Sequence, residues 1–541
     1  MTDEPATTAS SRLLPCDPAE GGYRRLSPGA GEQHAHRQKI GGTVLRPGWR
    51  RSARPLLVMA HLSDTHVMDH QSPGRAELLD RYSDPDSPVR VSAGLIGTYR
   101  AQELFTYQVA DAMIRAVRET GVGPMSGAPI DFAIVTGDAT DNCQLNELRS
   151  YLRLLDGGRV LPDSGDLGRY EGVAGPAVAD ERYWHPDAGP QDVPKSRYGF
   201  PEVPGVLSAA RLPFQSAGIG MPWYSVHGNH DNMLQGTVAP DGWLREFPLG
   251  GTKYVTPPDG IDVAEILHRF ENADGDALVE LAHSAPLKVT PDPDRVTVTR
   301  TEHVREHFHS TGTPRGHGYS EQNVSDGTAY YAFDHGQLRC IVLDTVNAHG
   351  GWQGSLDDSQ MSWLQAQLAG SAARPVLLFS HHPLETLVND TRPPGADRRV
   401  LAAEVRELLL AHPNVVAWIN GHTHVHSVTA VTDGTHGFWQ ITTASHIDWP
   451  QQARLIEVLA TPAGLAIACT VIDTAASASY QGTGEPADLA ALSRELSAND
   501  WQLRHLITAD GGGGAGAAQD RNVILSVDWP RSPAHARLPY E

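Results

Sequence analysis

Asp64 and His66 lie two positions apart, so at the end of an extended strand their side chains point the same way and can aim at one ion. His422 and His424 repeat that spacing. Asp138 follows Gly137, which lets the backbone turn sharply and present a carboxylate. Asn229 offers a neutral amide oxygen and His381 one more imidazole. This mixture of oxygen and imidazole donors suits borderline ions such as Mn, Fe, Zn, Co or Ni, not a Ca²⁺ cage. Seven donors exceed the four of a tetrahedral ion and match two ions that share one carboxylate.

Short apolar runs must position these groups. Leu56–Ala60 leads to Asp64 and His66, and Phe132–Val135 leads to Asp138. Trp223–Val226 leads to His227-Gly228-Asn229-His230-Asp231. Val376–Phe379 leads to His381-His382-Pro383, and Val415–Ile419 to Gly421-His422-Thr423-His424. Runs of this length and β-branched content read as buried strands of a largely parallel sheet. Between them, Leu104, Phe105, Val109, Met113 and Val117 mark one helical face, Trp363, Leu364 and Leu368 a second, and Val405, Leu408 and Leu409 a third. Strand alternating with helix is the α/β signature, and ligands gather at strand carboxyl ends in such sheets. All five polar clusters fall there.

The five ordered blocks resemble those of the calcineurin-like metallophosphoesterase superfamily. They are Asp64-x-His66, Gly137-Asp138, Gly228-Asn229-His230-Asp231, His381 before His382-Pro383, and Gly421-His422-x-His424. The resemblance implies an α/β fold, a four-layer αββα metallophosphoesterase sandwich, here with two long inserted segments. It implies two divalent or trivalent transition-metal ions, Mn, Fe or Zn. Asp64, His66 and His424 would hold the first and Asn229, His381 and His422 the second. Asp138 would bridge them, with a hydroxide as the second bridge that attacks phosphorus in line. His230 would stabilise the transition state or protonate the leaving oxygen, and Asp231 would orient it. The segment after Gly137 and the Asp231 that follows His230 point away from the protein serine/threonine phosphatases. Leu343-Asp344-Thr345 with Gly354, Asp357, Gln360, Trp363 and Leu364 is similar to a segment of bacterial cyclic-nucleotide and glycerophosphodiester phosphodiesterases. The expected activity is hydrolysis of a small soluble phosphodiester. The alternatives are a phosphomonoesterase on a nucleotide or sugar phosphate, and a catalytically inactive binding scaffold.

The chain divides into a flexible or loosely docked arm over 1–50, a metallophosphoesterase domain over 51–475, and an extension over 476–541. Insertions over about 151–220 and 232–328 are long enough to form lids or small subdomains. The extension carries a helix near 486–502, a flexible Gly511–Gly514 run and a strand at Val523–Val527. A formal charge of −21 argues against coating a nucleic acid polymer or an anionic membrane, yet leaves a small phosphorylated substrate open. The four cysteines are far apart, and Cys340 and Cys469 read as buried thiols. No signal peptide or membrane span is visible, so the expected compartment is the cytoplasm. The oligomeric state is open.

Several residues admit two readings. His61 and His227 are hydrogen-bonded core histidines or site groups. Asp141 and Asn142 orient ligands or merely close a turn. Asp344 fixes a loop or touches the site. His446 and Asp448 contact substrate or ligands, or form a structural turn. Trp184, Trp223, Trp243 and Trp352 stack a base or build small cores.

Overall fold

The computed structural model describes residues 7–38, 40, 44–90, 96–187, 191–281, 286–508 and 512–529. In the strand Arg54–Leu62, Leu57 and Met59 point to one side and Val58, Ala60 and Leu62 to the other, and all five are buried. A strand covered on both faces needs a layer on each side. The inner face packs against a second sheet, the outer face against helices.

Thirteen strands form the two sheets. They are β1 (Ala35–Arg37), β2 (Arg54–Leu62), β3 (Phe132–Thr136), β4 (Trp223–Val226), β5 (Tyr331–His335), β6 (Leu338–Val342) and β7 (Val376–Phe379). The others are β8 (Val415–Asn420), β9 (Ser427–Thr432), β10 (Gly437–Thr442), β11 (Gln452–Thr461), β12 (Gly464–Asp473) and β13 (Val523–Val527). The first sheet has the order β1-β13-β12-β11-β2-β3-β4, with β2, β3 and β4 parallel. The second has the order β5-β6-β7-β8-β10-β9, parallel from β6 through β10. Phe132, Ile134 and Val226 meet Val342, Leu377, Phe379 and Ile419 between the sheets.

Helices α1 (Thr106–Thr120) and α2 (Leu145–Asp156) cover the outside of the first sheet. Met113, Val117, Leu148 and Leu155 enter that core. On the second sheet, α4 (Asp358–Gly370) and α5 (Ala402–Leu410) contribute Leu364, Leu368, Val405 and Leu409. The expected αββα sandwich is thus present. The five apolar runs do not share one sheet, however. Three lie in the first and two in the second, because a hydrophobic run records burial and not its partner strand.

Other expectations need correction. Residues 7–38 are docked, not loose. Ser11–Pro15 pairs with Leu26–Ala30, and β1 extends the first sheet beside β13. Few apolar side chains carry this docking, so hydrophobic patterning misses it. Much of it is polar: Asn522 bonds to Thr8 and to the Glu32 carbonyl, and Arg521 pairs with Glu32. The expected helix near 486–502 spans Pro486–Ser497 (α6) and lies on α1. Of the Gly511–Gly514 run, Gly511 lies outside the described residues. Gly513–Ala515 forms a short turn of helix that leaves no room for a side chain at Gly514, against the carbonyls of His424 and Trp449.

The insertions fold into small cores. The first joins Tyr183, Trp184 and Phe200 to Tyr23, Tyr99 and Trp501 from other parts of the chain. Trp184 and Trp223 are fully buried and cannot stack a ligand. The second builds a cluster around α3 (Val263–Glu271), with Leu234, Leu244, Ile266 and Phe270. No helix among the described residues is long and apolar enough to cross a membrane.

A buried ion pair ties both insertions to the first site loop. Arg295 Nε lies 3.0 Å from Asp69 Oδ2, and its Nη2 is 2.8 Å from Ser164 Oγ. Burial alone would raise the Asp69 carboxyl, but the Arg295 charge and hydrogen bonds hold it below its usual range. Removing one partner of such a pair strands the other charge, at a cost of about 3–5 kcal/mol. Arg295→Met should lower stability by about that much in chemical denaturation, and Asp69→Asn combined with it should recover part of the loss. A single-variant loss below about 1 kcal/mol would contradict this account.

Candidate metal centre

The donors sit where the carboxyl ends of β2, β3 and β4 face those of β7 and β8. Asp64, His66, Asp138, His422 and His424 all adopt positive φ, between 43° and 68°. That left-handed conformation folds each loop back on its strand and costs on the order of 1 kcal/mol per residue. Backbone hydrogen bonds stitch the loops together. Asp64 N–H donates to Gly137 O (3.1 Å), His66 N–H to Asp138 O (2.9 Å) and Gly421 N–H to His381 O (3.0 Å). Glycine is required where two loops touch. A Cβ on Gly421 would overlap Ser63 Oγ and Asp64 Oδ2, and one on Gly228 would overlap Asp138.

Residues 358 positions apart meet: His422 N–H lies 3.1 Å from both Asp64 carboxylate oxygens. His424 Nε2 is 3.4 Å from Asp64 Oδ1. Asp64, His66 and His424 bring their ligand atoms within 4.8 Å of one another, and so do Asp64, Asp138 and His381. Asp138 Oδ2 stands between the two sides, 3.7 Å from His66 Nε2 and 3.2 Å from His381 Nε2. His381 Nε2 also faces His422 Nδ1 at 3.2 Å. Asn229 Nδ2 donates to Gly236 O (3.0 Å), which fixes the amide and leaves Oδ1 for the site.

Two more histidine groups have ligand-like spacing. In the first, His382 joins His381 and His422, but both its ring nitrogens are engaged, with Thr345 Oγ1 (2.8 Å) and Trp352 O (3.0 Å). In the second, Asp141 lies beside His66 and His230. Asp141 Oδ1 accepts from His66 Nδ1 (3.1 Å), and the Asp141 carbonyl accepts from His230 Nδ1 (2.6 Å). Asp141 therefore orients two imidazoles. Asp448 does the same for His424, accepting from Nδ1 at 2.7 Å.

Asp231 departs from its expected part. Its carboxylate accepts from the backbone N–H groups of Gly228, Ala139 and Thr140, at 2.8, 2.9 and 3.2 Å. It holds the loop that carries His230, and the atom orienting the His230 ring belongs to Asp141. His61 is a core histidine, bonded to Thr136 and Thr443. Asp344 fixes its loop through Gln360 and pairs with Arg300 at 2.8 Å. It also faces His227 Nδ1 at 3.4 Å.

The electrostatics call for cations. Burial would raise the Asp64 and Asp138 carboxyls. Neighbouring imidazoles outweigh it, His424 at Asp64 and His381 and His230 at Asp138, and hold both below the usual range. Burial would lower the imidazoles in turn. Asp138 nevertheless lifts His381 to about 9, and hydrogen bonds to Asp448 and Asp64 lift His424 to about 10. Protons thus stand where positive charge is needed. Burial pushes His422 and His230 down. His66 Nε2, Asn229 Oδ1 and His422 Nε2 are buried and lack a hydrogen-bond partner. Unpaired buried polar atoms are costly, and these three are atoms of metal-binding type that line one cavity. The donors fit a pair of metal ions.

Sequence reading missed Arg75 and Arg100. Arg75 Nη1 lies 2.7 Å from Asp141 Oδ2, and Arg100 Nε lies 2.9 Å from Asp448 Oδ1. Both come from the stretch before α1, and no short-range pattern links them to carboxylates far along the chain.

Residues 204–426 match the family model described as calcineurin-like phosphoesterase. The match includes Asn229, His230, His381, His422 and His424, while Asp64, His66 and Asp138 precede it. No curated protein sequence matches the chain. Among solved structures, a dimetal phosphatase from Danio rerio is similar at 14% identity and a TM-score of 0.33, over 78% of this chain and 100% of that one. A sulfate thiohydrolase, SoxB, from Thermus thermophilus matches at 11% identity and a TM-score of 0.28, over 78% of this chain and 57% of that one. A putative 5'-nucleotidase from Staphylococcus aureus matches at 11% and 0.27, over 78% and 55%. Residues 204–426 are thus similar to calcineurin-like phosphoesterases over the donors that close the site, and the chain is a metal-dependent phosphoric ester hydrolase.

Proposed function

We propose that this protein is a dinuclear phosphohydrolase whose substrates are small phosphodiesters. The observation that carries the reading is the set of buried, unpartnered donor atoms of His66, Asn229 and His422 around two carboxylates. Asp64, His66 and His424 would hold one ion, Asn229, His381 and His422 the other, and Asp138 would serve both. The donors are nitrogen and oxygen without thiolate, which suits Mn, Fe or Zn. When bound, such a pair lowers the pKa of a shared water and neutralises charge developing on the phosphoryl oxygens.

The chain's own groups supply orientation and a proton. His230 Nδ1 donates to the Asp141 carbonyl, so Nε2 is the atom free to serve the ester. Hydrolysis forms a P–O bond to the water oxygen and breaks the bond to the alcohol, whose oxygen takes a proton from His230 Nε2, while the water's own proton passes to solvent, from which the imidazole is reprotonated. Burial lowers the pKa of this imidazole, so once protonated it is a stronger acid than an exposed one. Support for a diester comes from charge. Arg100, a cation of the cavity wall, is committed to Asp448 and Asp500, which leaves it unsuited to the second negative charge of a monoester.

With Mn²⁺ present, bis-p-nitrophenyl phosphate should be hydrolysed with a higher kcat/KM than p-nitrophenyl phosphate. The reverse order would favour a phosphomonoesterase. Asp138→Ala should lose one or both metals and at least about 10³-fold in kcat. Full metal content with normal turnover would remove Asp138 from the bridging position.

Metal loading should also release protons. His381 and His424, raised to about 9 and about 10, are charged at pH 7 when metal-free, and ligation requires their neutral form. Metal affinity should therefore climb from pH 6 to pH 8, with about two protons expelled per loaded centre. Calorimetric titrations in buffers of different ionisation enthalpy count those protons. A count of zero would mean that these imidazoles do not ligate.

A further inference from the structure

The candidate metal centre opens into a cavity of about 820 Å³. That volume is in the range of pockets that enclose a drug-sized ligand. His66, Asp138, Asn229, His422 and His424 line it, and the side chains of Ile96, Leu267, Phe270, Leu503, Leu506 and Ile507 form its apolar wall. Three separate additions to the sandwich supply that wall: the stretch before α1, α3 of the second insertion, and the segment after α6. Trp352 stands beside the donors, its ring 5.8 Å from His422 and inclined by 29°. Trp352 and Leu506 are large apolar side chains left 46% and 50% exposed, and both line this one cavity.

The charged groups of the wall exclude some occupants. Arg100 is bound to two carboxylates, Asp141 to Arg75 and His66, and Asp448 to Arg100 and His424. Glu271, at the end of α3, is exposed and acidic. Di- and triphosphates need cations to meet their extra charge, and among the described residues this wall presents none that is uncommitted.

We propose that the apolar wall seats the alcohol portion of the substrate, and that the enzyme acts on phosphodiesters of a hydrophobic alcohol, an alkyl or arylalkyl chain, entering as a dissolved monomer. The ester phosphorus then lies at the donors and the chain extends toward Leu503 and Leu506. This deepens the phosphohydrolase reading and rests on it.

The test is a series of alkyl p-nitrophenyl phosphates, ethyl through decyl, with Mn²⁺-loaded enzyme and each ester below its critical micelle concentration. Each buried methylene is worth up to about fourfold, so kcat/KM should rise at least about tenfold from ethyl to octyl. Leu506→Gln, at a half-exposed position that should tolerate it, should reduce turnover of the octyl ester several times more than that of the ethyl ester. Equal rates along the series, or a higher kcat/KM for a cyclic nucleotide than for the octyl ester, would overturn the proposal while leaving a phosphohydrolase. A rise seen only above the micelle threshold or in vesicles would also overturn it, because the substrate would then be an interface. Absence of turnover for every ester by enzyme carrying two metals would instead sink the phosphohydrolase reading itself.

Discussion

Two carboxylates buried side by side, Asp64 and Asp138, are the constraint on which the site depends. Both are essentially inaccessible, and each makes ionisation of the other harder. In a poorly polarisable interior that arrangement persists only if positive charge lies between and around them. Protonated His381 and His424 meet the demand in the metal-free protein. A pair of ions would meet it better, because the same imidazoles could then ligate without holding a proton. The convergence of five loops, the glycines at their crossings and the backbone bonds between loops all serve to keep those carboxylates near one another.

Outside that inner ring lies a second ring of charge with a regular order. Arg75 holds Asp141, which holds His66 and His230. Arg100 holds Asp448, which holds His424. The carboxylate fixes the ring and the nitrogen that faces inward, and the arginine keeps the carboxylate ionised despite burial. Arg75 is itself enclosed by Glu77 and Glu103 at 3.2 and 2.7 Å, so its position is set on several sides. Arg75 and Arg100 thus belong to the candidate metal centre although neither is a candidate ligand.

The inner ring was legible in the sequence, and the outer ring only in part. Asp64, His66, Asp138, Asn229, His381, His422 and His424 each follow closely on an apolar run, and a strand followed by a donor is a local pattern. Asp141 and Asp448 lie close enough to those patterns to be suspected. Arg75 and Arg100 do not, because an ion pair between distant segments leaves no periodicity. Asp231 shows the opposite limit: its place beside His230 suggests contact with the ring, whereas its oxygens are spent on backbone N–H groups. The α/β class followed from strand and helix alternation, whereas the two-sheet sandwich followed only from the family resemblance, since Val135 and Phe379 are equally apolar whichever sheet holds them. The apolar wall from three distant segments was beyond reach for the same reason, and the docking of residues 7–38 because much of it is polar.

The left-handed backbone at Asp64, His66, Asp138, His422 and His424 has a consequence for how such a site can change over time. Asparagine, aspartate and histidine are the side chains that tolerate this conformation best after glycine, and they are also good metal donors. Two independent filters, one conformational and one coordinative, therefore admit nearly the same short alphabet at each position. Glutamate could supply an oxygen and cysteine a sulfur, but neither is favoured by the turn. Drift through other donor types is closed to these loops, and novelty in this protein has to arise in the surrounding walls.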